Sequence, residues 1–302
     1  MKPKIGVASI ILILTLLQVS CIPLHQPSVN DLINAAITAV PDILPITEAE
    51  EIRIGRSIAA NVAGRYGVFR DMELTRYVSL VGNTVARKSD RPNLHYSFAV
   101  LDTDIINAFS CPGGYVFITM GALEIIDNEA ELAAVLAHEV GHVSKRHIIK
   151  EIEKKKFLNV GGKVVGNYLN TDPEIFNRAT SHGTELLFRG YSRIDEYQAD
   201  RLSLIYTSKA GYDPNALLSF LEKIKDKGAS PNDENARIRT VKLLFSTHPE
   251  AENRIERAKN IISRRETDSA KGVLLKERYS ENVTPIVTEY FRYYIDYHGD
   301  DR

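Results

Sequence analysis

A chain of 302 residues with 44% hydrophobic and 25% charged content carries enough apolar material for one large or two modest cores, which argues against a largely disordered polymer. Its formal net charge of -1 leaves no basic excess to neutralise phosphates and argues against nucleic acid as a partner. Two cysteines, Cys21 and Cys111, give no disulfide framework to read.

Lys2 and Lys4 followed by the apolar run Ile5 to Leu17 read as a targeting segment over residues 1–20, too short to span a bilayer comfortably. Ser20-Cys21 at the end of that run resembles the lipobox of bacterial lipoproteins, in which the cysteine becomes the acylated first residue, although Gln18 stands where that pattern has Leu. Ordinary signal cleavage and an uncleaved anchor are the alternatives. Residues 21–46 contain Pro23, Pro27, Pro41 and Pro45 with one short helical stretch around Asn30 to Val40, and read as a tether from the membrane.

Thr47-Glu48-Ala49-Glu50 fits a capping box that opens a helix running toward Tyr66, with Gly67 as its stop. A second helix starts near Asp71 and keeps Leu74, Tyr77, Val78, Val81 and Val85 at helical spacing until Arg91-Pro92 breaks the pattern. Tyr96 to Leu101 and Tyr115 to Thr119 have β-branched and aromatic strand content, the second preceded by the turn signal Cys111-Pro112-Gly113-Gly114. They predict a small sheet whose edge can pair with an extended substrate backbone. Cys111, with no basic partner evident, reads as a small buried apolar residue and not as a nucleophile.

Residues 128–150 predict one helix, capped by Asp127 or Asn128, with Glu131 in its first turn and Leu132, Val135, Leu136 and Val140 as its buried stripe. Inside it stands His138-Glu139-Val140-Gly141-His142. Positions four apart share a helical face, so His138 and His142 can aim two imidazoles at one ion. Zinc takes neutral imidazole nitrogens in tetrahedral geometry, and Glu139, beside the open position, can take a proton from bound water. The pattern is that of a metallopeptidase, whereas a merely amphipathic core helix does not require it. His147, five residues past His142, is expected on another side of the helix.

Residues 151–190 hold Gly161, Gly162, Gly166, Gly183 and Gly190 among short apolar runs, as a mobile cover or a plain helical connection would. Downstream, Glu196 and Asp200 lie four apart on one helical face. One carboxylate can bind zinc, and the other can accept the free ring N–H of a ligand histidine. Small Ala199 would allow another helix to come close, and Gly211 ends the element. His248 lies in Ser246-Thr247-His248-Pro249, where Pro249 and Glu250 signal a new helix and hold the imidazole on a rigid corner, aimed inward or facing solvent. From Leu274 the chain is rich in Tyr and Phe, a tail that either packs back or binds a partner.

Asn107-Ala108-Phe109, Pro112-Gly113-Gly114, the run Asn128 to His142, the element Glu196 to Asp200 and Ser246-Thr247-His248-Pro249 together resemble the gluzincin family of the CAAX prenyl endopeptidase, with its HtpX, Oma-type and BepA-like relatives. The likeness covers roughly Glu48 to Arg265. It implies an α+β, predominantly helical metallopeptidase with a small sheet beside the active helix, one Zn2+ per chain on His138, His142 and Glu196, and Glu139 as general base. It places His248 near the zinc, either donating to the oxyanion formed during attack or occupying the open coordination position. With no spanning apolar run after the targeting segment and too few residues after Arg265 for two tetratricopeptide repeats, the chain looks like the secreted bacterial branch without an added repeat array. The expected organisation is a lipoprotein signal over 1–20, a tether over 21–46, the metallopeptidase domain over 47–265 and a tail over 266–302. The resemblance implies unfolded or misassembled envelope proteins as substrates and outer-membrane assembly machinery as a partner. It places the chain on the periplasmic side, held to the outer membrane by lipid on Cys21. The alternative function is a chaperone or assembly factor with a latent zinc site.

Overall fold

Thr47 opens the first helix as the capping pattern requires. Its hydroxyl accepts from the Glu50 backbone N–H, and the Glu50 carboxylate reaches back to the Thr47 N–H at 2.8 Å. In the computed structural model, residues 45–158, 173–228, 247–248, 251–264 and 272–298 are described. The targeting segment, Cys21, the tether up to residue 44, the glycines at 161, 162 and 166, and the Pro249-Glu250 helix start lie outside them.

Helix α1 (Glu48–Tyr66) stops at Gly67, whose φ of 75° is the conformation a residue without Cβ adopts freely. Helix α2 (Met72–Ala86) starts on Asp71, whose side chain accepts from the Leu74 N–H at 2.8 Å. It ends before the expected Arg91-Pro92 break. Arg91 instead reaches back to the buried Glu51 carboxylate on α1, 2.7 Å away.

Strands β1 (Ser97–Leu101), β2 (Ala108–Cys111) and β3 (Tyr115–Thr119) form a three-stranded sheet in the order β1-β3-β2. β3 pairs parallel with β1 and antiparallel with β2, which leaves β2 on an edge. The sequence pattern alone predicts β1 and β3 and gives no signal for β2. Cys111, expected in the turn, closes β2, and the turn itself is Pro112–Gly114. Four residues with three small side chains give too short a period-2 signal to stand out.

The remaining helices are α3 (Met120–Ile125), α4 (Glu129–Lys145), α5 (His147–Leu158), α6 (Pro173–Arg189), α7 (Arg193–Lys209), α8 (Asn215–Gly228), α9 (Ala251–Ser263), α10 (Lys276–Asn282) and α11 (Thr284–His298). The sheet divides the apolar side chains by strand alternation. Phe98, Val100, Ala108, Val116 and Ile118 face the core built with α2, α4 and α8, whereas Leu101, Phe109, Cys111 and Phe117 join α1, α5 and α6 in a second core. Helix α4 is buried from Glu129 to Ser144, so its position is set by packing on every side.

The single helix expected over 128–150 is two. Arg146 adopts the left-handed conformation at φ 56° and ψ 41°, ending α4 before α5 starts at His147. That conformation is costly for a side chain with a Cβ. Glu51 offsets the cost by accepting from Arg146 Nε at 2.8 Å, from Arg91, and from the Gly113 N–H at 3.1 Å. One buried carboxylate thus ties α1, the 112–114 turn and the end of α4 together.

The tail packs back on the body. Leu274 O accepts from the Ala130 N–H at 3.1 Å, and the Tyr279 hydroxyl donates to Leu123 O at 2.7 Å. The Arg278 guanidinium donates to both oxygens of Glu129 in the first turn of α4. Among the described residues no helix is long and apolar enough to cross a membrane. The fold is α+β and predominantly helical, with the small sheet beside α4.

Candidate metal centre

His138 and His142 project from one face of α4 with their Nε2 atoms 3.0 Å apart. Helix α7 crosses close by, because a Cβ on Gly141 would stand 3.2 Å from the Ala199 Cα, and two small residues therefore set the approach. That approach brings Glu196 in, with Oε1 3.3 Å from His142 Nε2 and Oε2 3.6 Å from His138 Nε2. Donor atoms about 2.1 Å from a tetrahedral ion stand roughly 3.4 Å apart, so this spacing and the two-imidazole, one-carboxylate donor set fit zinc.

His248 completes a cluster in which four side chains bring one donor atom each within 4.8 Å of one another. It is buried at 6% exposure, which overturns the solvent-facing alternative. Its Nδ1 lies 3.0 Å from both Glu196 oxygens, and its Nε2 lies 3.9 Å from Glu139 Oε1. The corner it occupies is fixed through Thr247, whose hydroxyl accepts from Asn107 Nδ2 at 3.4 Å and whose carbonyl accepts from the Tyr191 N–H.

Around these donors stands a second layer. Asp200 Oδ1 is 3.0 Å from His138 Nδ1, as one carboxylate of the Glu196/Asp200 pair was expected to be. Arg254 on α9 donates to both Asp200 oxygens at 2.8 and 2.7 Å, and its Nη1 lies 3.1 Å from Glu196 Oε2. His147 departs from the expected placement. Because the helix breaks at Arg146, the five-residue spacing no longer turns its ring away, and its Nδ1 lies 2.8 Å from His142 Nδ1. The Tyr191 ring stacks on His142 at 3.9 Å between centroids, and its hydroxyl donates to Ser110 O at 3.3 Å.

Electrostatics favour the charge states a metal needs. Burial pushes the His142 imidazole well below its ordinary value and keeps it neutral, despite the pull of Glu196. Burial alone would raise the Glu196 carboxyl, but His248 and Arg254 together hold it well below the usual carboxylate range. Asp200 behaves alike: burial opposes the charge, Arg254 outweighs it, and the carboxyl falls to about 2. Cys111 is fully buried, and burial pushes its thiol up, in keeping with an inert side chain.

Glu139 stands beside the cluster at 2% exposure, its Oε2 accepting from the Ser110 hydroxyl at 2.7 Å. A cavity opens next to Glu139, His138 and His248, walled by Val135 of α4, Ile106, and Leu217, Phe220, Leu221 and Ile224 on or beside α8.

Residues 73–262 match the profile of Peptidase family M48. The chain belongs to that family. Among curated proteins, the Beta-barrel assembly-enhancing protease of Yersinia pestis is 28% identical over 220 residues, which take in 70% of this chain and 43% of that protein. Its counterpart in Escherichia coli (strain K12) is 27% identical with the same coverage. The Mitochondrial metalloendopeptidase OMA1 of Schizosaccharomyces pombe is 30% identical over 183 residues, 61% of this chain and 51% of that protein. The chain therefore spans under half the length of these bacterial M48 relatives.

Ser110, Tyr191 and Arg254 beside this cluster escape a reading of the sequence alone, and His147 is misplaced by it. Arg254 left a signal. It falls four residues before Ala258, on the buried stripe of α9, and a charge on such a stripe needs a buried partner. The other three depend on an unrecognised strand, a broken helix and a ring stacking across elements.

Proposed function

We propose that the chain is a zinc-dependent endopeptidase that hydrolyses peptide bonds in misfolded or misassembled cell-envelope proteins. The observation that carries this reading is the convergence of His138, His142 and Glu196 at tetrahedral spacing with a buried carboxylate, Glu139, beside them. The bound ion would act as a Lewis acid toward the scissile carbonyl and make water acidic enough to attack it at neutral pH. Glu139 takes the proton from the attacking water and hands it to the leaving amine. Asp200 and His147 hold the outer ring nitrogens of His138 and His142, and so orient the inner nitrogens toward the ion. The substrate backbone adds alongside the edge strand β2, which gives affinity without sequence demand. An apolar side chain next to the scissile bond enters the cavity walled by α8.

The bacterial relatives are named as proteases that enhance β-barrel assembly, which supports proteins of that assembly as substrates and its machinery as a partner; the periplasmic side and the outer membrane are proposed from the targeting segment and Cys21. The second reading, a chaperone or assembly factor with a latent site, is favoured by His248, whose imidazole sits within the donor cluster and could occupy the open position.

Metal content and cleavage of an unfolded protein, measured with and without chelator, test the proposal. One zinc per chain and chelator-sensitive cleavage are expected. Glu139→Gln keeps the zinc and abolishes hydrolysis, because an amide cannot accept the proton; Glu196→Ala lowers zinc content. Near-wild-type cleavage by Glu139→Gln would sink the mechanism.

A further inference from the structure

We infer that Ser110 is a positioning residue for the general base, its hydroxyl fixing one oxygen of the Glu139 carboxylate so that the other faces the reacting water. The inference rests on the hydrolytic reading of the site. Strand alternation turns Phe109 and Cys111 into the second core and Ser110 to the opposite face, toward α4. There its hydroxyl donates to Glu139 Oε2 at 2.7 Å, and both residues are 2% exposed.

The two carboxylate oxygens are thereby made unequal. Oε2 is held against the sheet, and Oε1 is left on the side of the donor cluster, 3.9 Å from His248 Nε2. The terminal torsion of a glutamate is a broad two-fold rotor, so without a partner the oxygens wander in angle. Ser110 is a firm anchor for that rotor. Its backbone is fixed opposite Val116 in the antiparallel ladder, and its carbonyl accepts from the Tyr191 hydroxyl. Since the Tyr191 ring also stacks on His142, base and metal ligand are referenced to one frame. A proton acceptor misplaced by a fraction of an ångström loses rate while substrate binding is untouched.

Ser110→Thr and Ser110→Val test the contact as a pair, because they match in shape and differ in the hydroxyl, and Ser110→Ala removes the hydroxyl without adding volume. Full-length protein is assayed for kcat, KM, zinc content and thermal midpoint. Val and Ala variants are expected to lose kcat by about 10-fold or more, the weight of a hydrogen bond to a charged group, with KM and zinc content unchanged and Thr restoring most of the rate. Equal kcat in the Thr and Val variants, or a Val or Ala variant as fast as wild type, overturns the inference. A second arm does not use activity: crystals of metal-free Ser110→Ala are expected to show the Glu139 carboxylate rotated or split between orientations. A carboxylate unmoved there also overturns the inference. If wild type binds zinc and cleaves nothing, the hydrolytic reading falls, and the crystallographic arm still decides the Ser110 contact.

Discussion

His248 can play two opposed parts. Its Nδ1 holds Glu196 and its Nε2 points toward Glu139, so the ring can either donate to the oxyanion during attack or stand in the open position and keep the centre latent. His248→Ala separates them. A rise in cleavage of an unfolded protein with zinc retained is the outcome expected of a latch, and the donor cluster that already includes this ring favours it. A fall of roughly 10²-fold in kcat at constant zinc would instead assign the oxyanion role. The spacing of His138, Glu139, His142, Glu196 and Asp200 was readable because each group lies within a continuous helix, where a four-residue step is a geometric statement. The partners of Ser110 and Arg254 were not readable, although the place of Arg254 on a buried stripe marks it as needing one. Their partners lie 29 and 54 residues away, and no local period reports such distances.

At the scale of elements, the sequence located helix starts better than helix ends. Thr47, Asp71 and Asn128 cap as their side chains allow, since a cap is a local bond. The break at Arg146 is tertiary, imposed by buried Glu51, and it delivers His147 to His142. The strap α10 is likewise a long-range device: Arg278 closes on Glu129, which also accepts from the Tyr77 and Tyr212 hydroxyls at 2.7 and 2.6 Å. Burial opposes the Glu129 charge, but Arg278 and the two tyrosines hold its carboxyl below the ordinary value. A depressed carboxyl contributes stability above its unfolded value of about 4.3 and loses it as pH falls through the folded value. Arg278→Met should therefore cost about 1.5–3 kcal/mol at pH 7, the worth of hydrogen bonds to a charge, and the gap to wild type should narrow below about pH 4. Thermal unfolding of the metal-free proteins across pH reads this directly, and a gap that stays constant down to pH 3 would refute it.

For the whole molecule, the sequence pointed to a helical metallopeptidase with a small sheet, and that is the architecture found. It left the tail undecided because amphipathic tails look alike whether they meet their own core or another protein, and here Tyr279, Val283 and Val287 are buried on it. For its place in a cell we propose the reading of the other end of the chain: the apolar run closing at Ser20-Cys21 resembles a lipoprotein processing signal, with Gln18 where that pattern has Leu, and Cys21 as the acylated residue. Among the described residues no helix is long and apolar enough to cross a membrane. Mass spectrometry of the mature N-terminus is expected to find Cys21 acylated, in the outer-membrane fraction, since Ile22 supplies no charged signal for inner-membrane retention. Cys21→Ser should leave unprocessed or released protein whose cleavage of an unfolded substrate in solution is unchanged, because the centre on α4 and α7 owes nothing to the anchor. A mature chain that starts at another residue, with Cys21 unmodified, would remove the lipid anchor and the outer-membrane placement together.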